Sequence, residues 1–125
     1  LDTYLLDLYH ARKLKMEPTT GGTSNVIMQP GSRSWQEIAK EHGRAIRVTS
    51  FLGGNSNPAS GAFSLGIRGQ LIENGEVVQN LSEMNVSGNL LELMASFVEA
   101  SNDPWLFASY RVPTLAFEGV QFSGS

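Results

Sequence analysis

The pair Asn74-Gly75 restricts the possible folds of this chain more than any other short feature. Asn-Gly tolerates the positive φ angles of a type I′ turn, which joins two antiparallel strands. The segments on either side, residues 63–72 and 77–81, have the composition of strands. The sequence therefore predicts a β-hairpin, and with it an antiparallel sheet.

Helices and further strands are predicted on both sides of this hairpin. Ser34 and Glu37 form a capping box, which begins a helix that Gly43 ends. A second helix is predicted from Asn89 through an apolar stripe that reaches Val98, with its end at residues 102–104. The other predicted elements are a short helix within residues 1–16 and strands at residues 25–29, 45–52, 106–112 and 114–122.

These elements together predict the fold class α+β, a mostly antiparallel β-sheet with two or three packed helices. The chain has 125 residues, which is enough for one packed core, so we expect residues 1–125 to form a single domain.

Composition excludes several classes of function. The formal net charge of −3 argues against direct binding of nucleic acid. The chain has no cysteine, which removes disulfides, thiolate metal ligands and cysteine nucleophiles and fits a cytoplasmic protein. No apolar run approaches the roughly 18 residues of a membrane-spanning helix, so no membrane partner is expected.

The segment from Phe51 to Gly69 is rich in glycine, which predicts that its backbone comes close to another group. Gly61 and Gly66 have the spacing of a phosphate-binding loop, but Ile67 and Arg68 follow where that loop needs Lys and Ser or Thr. The sequence therefore does not favour nucleotide binding.

The same segment lacks the pattern of a catalytic or metal site. The sequence around Ser64 differs at one residue from the Gly-x-Ser-x-Gly pattern of a nucleophile elbow. A nucleophile elbow leads into a helix and its histidine comes later in the chain, but here a strand is predicted after Ser64, and His10 and His42 both precede it. The two histidines lack the spacing of metal ligands. We interpret both as residues of helix faces and predict neither catalytic nor metal-binding residues.

The remaining explanation for the glycines is that a neighbouring strand or a bound extended peptide comes close to their backbone. A sheet can accept a peptide as an additional strand through main-chain hydrogen bonds. The alternative is a loop with glycine bends inside an ordinary sheet. The predicted peptide-binding residues are Gly53, Gly54, Gly61, Phe63, Ser64 and Gly66.

Short motifs in a fixed order cover nearly the whole chain. They are YLLDLYHARKL at 4–14, SNV at 24–26, QPG at 29–31, VT and GG within 48–54, NP at 57–58, GAFSLG at 61–66, IENGE at 72–76, SGNLL at 87–91 and ND at 102–103. In this order and spacing they resemble the TldD/PmbA family. Since family members are much longer, the resemblance implies the C-terminal domain of a larger protein.

The resemblance also implies a function. The family consists of bacterial and archaeal proteins that degrade or mature peptides and were historically called modulators of DNA gyrase. A TldD-type subunit pairs with a PmbA-type (TldE) subunit. The TldD-type subunit carries zinc on a His-Glu-x-x-x-His helix, and a cysteine from its C-terminal region completes the site.

Neither the helix motif nor the cysteine occurs in this chain. The chain is therefore similar to a PmbA-type subunit, and zinc is expected only in a TldD-type partner. We expect a non-catalytic domain that contributes to dimerisation and to a peptide cavity, with a peptide substrate and either a TldD-like partner or a second copy. The alternatives are a pure assembly domain without a ligand and a zinc peptidase in its own right.

Overall fold

The computed structural model describes residues 3–124. In chain order its elements are α1 (Leu8–Leu14), β1 (Val26–Ile27), α2 (Trp35–His42), β2 (Arg44–Ser56), β3 (Ala62–Glu73), β4 (Glu76–Asn89), α3 (Leu90–Ala95), β5 (Phe97–Ala100), β6 (Tyr110–Arg111), β7 (Leu115–Phe117) and β8 (Gln121–Ser123). The predicted α+β class with a mostly antiparallel sheet is confirmed.

Residue contacts divide the chain into two compact units. The smaller unit contains residues 3–29 and 105–112, and the larger contains residues 30–104 and 113–124. The single domain expected for residues 1–125 stays a prediction. No helix among residues 3–124 is both long and apolar enough to cross a membrane.

The smaller unit consists of one helix and a two-stranded parallel sheet. Helix α1 begins where the Asp7 carboxylate accepts a hydrogen bond from the backbone N–H of His10, at 2.7 Å. It ends at Lys15, which has the left-handed φ of 55°. Strand β1 pairs in parallel with β6, so that Val26 lies opposite Tyr110.

The larger unit is built on an antiparallel sheet of four strands in the order β2-β3-β4-β8. The predicted hairpin is present between β3 and β4, and its turn residues Asn74 and Gly75 have φ angles of 53° and 85°. Ile67 and Ile72 on β3 are 0% and 1% exposed and form the centre of the core.

Helix α2 packs beside this sheet and begins at the predicted capping box. The Ser34 side chain accepts a hydrogen bond from the Glu37 backbone N–H, and the Glu37 carboxylate accepts one from the Ser34 N–H. Ile38 and Ala39 are buried, as their positions on the apolar face predict. The helix ends at Gly43, whose φ is 72°.

The prediction that helix α3 continues through Val98 was wrong. The helix ends at Ala95, where the Ser96 backbone N–H donates to the Glu92 and Leu93 carbonyls. The next residues form β5, which pairs with β7, and the rings of Phe97 and Phe117 meet edge to face at 5.8 Å. Aromatic and β-branched side chains favour a strand, and the pairing with β7 decides the outcome.

Other predicted strands also have different bounds, among them the strand predicted at 25–29, which is reduced to Val26–Ile27. The strand predicted at 106–112 is reduced to Tyr110–Arg111, because its partner β1 is only two residues long. The strand predicted at 114–122 is two strands, β7 and β8, separated at Gly119, whose φ is 64°. The strand predicted at 77–81 extends to Asn89 because it pairs along most of β3.

Candidate functional site

The glycine-rich segment forms the far part of a hairpin between β2 and β3, which we call the glycine hairpin (residues 51–69). Strand β2 continues through the glycines to Ser56, although the alternating pattern had ended at Leu52. Gly53 lies opposite Gly66, and Ser64 lies opposite Asn55. The structure therefore brings the six predicted residues together on two adjacent strands and their connection.

The glycines approach the neighbouring strand of their own sheet. A Cβ atom on Gly54, at φ 146°, would lie 2.2 Å from the Ser64 carbonyl oxygen. A Cβ atom on Gly69 would lie 2.7 Å from the Arg47 carbonyl oxygen. Gly53, at φ 123°, differs because a Cβ atom there would meet nothing within 4 Å. Close packing of two strands thus explains Gly54 and Gly69, and the chain is open at Gly53.

Two asparagines hold the tip of the glycine hairpin. The Asn57 side-chain oxygen accepts from the Ala59 N–H at 2.9 Å, and the Asn57 carbonyl accepts from the Gly61 N–H at 2.8 Å. The Asn89 side-chain amide donates to the Ser60 carbonyl at 2.8 Å. The sequence predicts Asn89 only as a helix cap and predicts no structural role for Asn57, although Asn-Pro is a turn signal.

The two strands of the glycine hairpin differ in what they can offer a peptide. Strand β3 pairs with β2 on one side and β4 on the other. Strand β2 is an edge strand, and its outer edge has no partner within residues 3–124. Gly53 and Gly54 are on this edge strand, so within the glycine hairpin a peptide can extend the sheet at β2 and not at β3. Phe63, Ser64 and Gly66 on β3 can contribute only to the faces of the sheet.

Phe63 also lines a groove of about 300 Å³ on the side of β3 that faces β4. We call it the Phe63 groove. Of the residues that line this groove, the sequence predicted only Phe63 as a binding residue. The groove is lined by Phe63, Ser87, Gly88, Asn89, Glu92, Leu93, Ser96, Glu118, Gly119, Val120 and Gln121.

Ser64 lacks the partners of a catalytic serine. It is exposed and lies opposite Asn55 and Ser87 in the sheet, and no hydrogen bond joins it to a histidine or carboxylate in the described part of the chain. The Nδ1 atom of His42 lies 3.8 Å from Glu118 Oε1, and the Nδ1 atom of His10 lies 2.8 Å from Asp7 Oδ1. The backbone N–H of His10, followed by its side chain, lowers the pKa of Asp7.

Asp103, in the Asn-Asp motif, connects two loops of the larger unit. Its carboxylate accepts hydrogen bonds from the Thr114 backbone N–H and hydroxyl, both at 2.8 Å, and from the Ser101 hydroxyl. Burial raises the pKa of Asp103, but these hydrogen bonds outweigh that effect, so the pKa lies below its usual value. The motif therefore stabilises the fold.

Glu99 has a similar structural role. The helix predicted to end at residues 102–104 would include Glu99, but Glu99 lies on β5, where both carboxylate oxygens accept from the Arg33 guanidinium. This pairing lowers the pKa of Glu99 and raises the pKa of Arg33, which also donates to Glu41.

A family model described as the PmbA/TldA metallopeptidase C-terminal domain matches residues 1–124. The chain is a C-terminal domain of the TldD/PmbA family. The resemblance carried by the ordered motifs is thereby confirmed.

Named relatives and solved structures agree with this assignment. The chain is 33% identical over 105 residues, 82% of its length, to the metalloprotease PmbA of Escherichia coli O157:H7. It matches a crystal structure from Bacteroides thetaiotaomicron, described as a proposed modulator of DNA gyrase, with 47% identity and a TM-score of 0.89 over its whole length. It matches the crystal structure of TldE from Thermococcus kodakarensis with 27% identity and a TM-score of 0.80 over 97% of its length.

This TldD/PmbA domain spans only part of those proteins. It covers 23% of the E. coli relative, 29% of the Bacteroides chain and 31% of the TldE chain.

The residues of this domain do not fit the zinc site that the family implies. Within residues 3–124, no three His, Cys, Asp or Glu side chains form a group that could hold a metal ion. His10 and His42 belong to different compact units, and among the described residues each lies within 4 Å of one carboxylate, Asp7 for His10 and Glu118 for His42.

Proposed function

We propose that this chain is the C-terminal domain of a PmbA/TldE-like subunit of a metalloprotease complex that degrades or matures peptides. In that complex the domain is non-catalytic and contributes to dimerisation and to the peptide cavity. The names of the relatives, PmbA and TldE, support the subunit type. The zinc belongs to a TldD-like partner.

The observation that carries the peptide-binding part is the outer edge of β2. This edge strand is 13 residues long, from Arg44 to Ser56. It pairs with β3 on one side, and its outer edge has no partner within the described residues. A peptide in extended conformation can add to such an edge through main-chain hydrogen bonds, which give affinity without requiring a particular sequence. The open backbone at Gly53 leaves space for the approach.

A peptide titration tests this proposal. The probe is an acetylated and amidated penta-alanine peptide, added to the ¹⁵N-labelled chain. We expect amide chemical-shift changes in β2 and the glycine hairpin, and none at β8, the other edge of the sheet. The matched control is the same peptide with N-methylated amides, which cannot donate main-chain hydrogen bonds and should cause no change. Equal changes with both peptides, or changes centred on β8, would contradict docking at β2.

A pure assembly domain is the second candidate, and the exposed apolar surface favours it. In the smaller unit, Leu8, Tyr9 and Trp105 are 65%, 67% and 66% exposed, and Phe107 is 88% exposed. Exposed apolar groups in this number are typical of surfaces that meet other protein. The partner would be a TldD-like subunit or a second copy. Absence of any shift change with penta-alanine would favour this candidate.

A further inference from the structure

The Phe63 groove lies where two paired strands separate. The last pair between β4 and β8 joins Ser87 to Gln121. Beyond this pair, β4 continues through Asn89 into α3, while the opposite wall turns at Gly119. The backbone N–H of Glu118 donates to the Ser96 carbonyl at 3.1 Å and ties that wall to the end of α3. Hydrogen bonds thus hold both walls of the groove.

Apolar groups and bare backbone make up much of the lining. Phe63, Leu93 and Val120 are half-buried and supply the apolar surface. Gly88 lies beside the ring, since a Cβ atom on it would be 3.4 Å from Phe63 Cζ. A Cβ atom on Gly119 would meet nothing within 4 Å. The groove can therefore accept an alkyl chain and the backbone that carries it.

The charged side chains among the described lining residues are all acidic. Glu92 and Glu118 are both exposed at the groove, and no Lys or Arg is among the described residues that line it. Glu92 makes no salt bridge within residues 3–124. The His42 ring lies beside Glu118, with its Nδ1 atom 3.8 Å from Glu118 Oε1. A positively charged occupant would complement both carboxylates.

We propose that the Phe63 groove binds a lysine or arginine side chain of the peptide. This proposal rests on the proposed function, and it adds a preference for basic peptides. The alkyl stem lies against Phe63, Leu93 and Val120, and the charged head reaches the carboxylates of Glu92 and Glu118. Lysine and arginine have the required combination of a long apolar stem and a cationic end.

The test compares three acetylated and amidated pentapeptides that differ only at the central residue of an alanine sequence: lysine, norleucine or glutamate. Each is titrated into the ¹⁵N-labelled chain. We expect the lysine peptide to shift amides of residues 87–93 and 118–121 in addition to those of β2 and the glycine hairpin. We expect it to bind about tenfold more tightly than the norleucine peptide. We expect the glutamate peptide to bind more weakly than either of them.

Variants assign the preference to the groove. E92Q and E118Q each remove one exposed carboxylate charge and should weaken lysine-peptide binding about threefold, without affecting the norleucine peptide. The matched control is E76Q, at the opposite end of β4 from the groove, which should change neither affinity.

The outcomes separate this inference from the proposed function. Equal affinities for the lysine and norleucine peptides, with shifts confined to β2 and the glycine hairpin, would overturn the basic-residue groove and leave docking at β2 intact. An unchanged lysine affinity in E92Q and E118Q would also overturn it. Binding of none of the peptides, penta-alanine included, would overturn both proposals.

Discussion

Two glycines of strand β3 differ in whether the structure leaves space for a side chain. On β3, a Cβ atom on Gly66 would have its nearest neighbour, the Gly53 carbonyl oxygen, at an ordinary contact distance of 3.5 Å. A Cβ atom on Gly69 would lie only 2.7 Å from the Arg47 carbonyl oxygen. Neither residue has a positive φ angle, so the two positions differ in space and not in backbone strain.

Alanine substitutions at these two positions should therefore differ in effect. G69A should lower the free energy of unfolding by about 2 kcal/mol, because the two strands must separate to admit the methyl group. G66A is the matched control and should change it by no more than about 0.5 kcal/mol. Urea unfolding followed by circular dichroism measures both. Equal losses of stability would show that close approach to β2 does not explain Gly69.

Asp103 predicts a dependence of stability on pH. We expect D103A to lower the free energy of unfolding at pH 7 by about 1 kcal/mol, since the Thr114 N–H loses its acceptor and the site is exposed. The folded pKa lies below the usual value. The stabilisation is therefore complete above the unfolded pKa, near 3.8, and is lost as the pH falls through the folded pKa.

Urea unfolding of wild type and D103A at pH 7 and at pH values below 3.8 measures this effect. The difference between the two proteins should shrink at the lower pH values. E83A, which removes an exposed carboxylate on β4, is the control for general charge effects. A difference that stays constant with pH would contradict a role for the ionised carboxylate.

At the scale of the element, helix α2 depends on its capping box. S34A removes the acceptor of the Glu37 N–H and should lower the free energy of unfolding by about 1 kcal/mol. The exposed Ser32 provides the control, because its hydroxyl makes no hydrogen bond within residues 3–124, and S32A should be neutral. Thermal unfolding measures both. A neutral S34A would mean that the packing of Ile38 and Ala39 alone determines where the helix begins.

Elements with a local signal were predicted correctly, and elements that depend on pairing were not. The capping box at Ser34 and the turn at Asn74-Gly75 involve hydrogen bonds or φ angles within a few residues, so the sequence contains the whole signal. The apolar stripe after Asn89 continued through Val98 and indicated a longer helix. The pairing of β5 with β7 changed that outcome.

The candidate site follows the same division. The glycines predicted as a surface of bare backbone do lie together on β2 and β3. Their closest contacts depend on the strand register, which shifts between Val48 and Ser50 and again between Phe51 and Gly53. Such shifts have no marker in the sequence, so the sequence could not tell Gly54, packed against β3, from the open Gly53.

At the scale of the whole molecule, apolar periodicity did not predict burial in the smaller unit. The helical pattern predicted within residues 1–16 includes Tyr4, Leu8 and Ala11, of which only Ala11 is buried, and Tyr4 and Leu8 are 66% and 65% exposed. The chain spans 29% of the Bacteroides protein whose fold it shares. Under the proposed function, other parts of the parent protein or a partner subunit cover these exposed side chains.

The sequence alone determined the family, the α+β class, the hairpin at Asn74-Gly75 and the capped start of α2. Each depends on ordered motifs or on contacts between near neighbours in the chain. The tertiary structure alone decided where β4, α3 and β5 end, which glycines meet a carbonyl of the next strand, and how Phe63 joins Glu92 and Glu118 in one groove. These features join residues far apart in sequence, so they exist only after the strands have paired in one register.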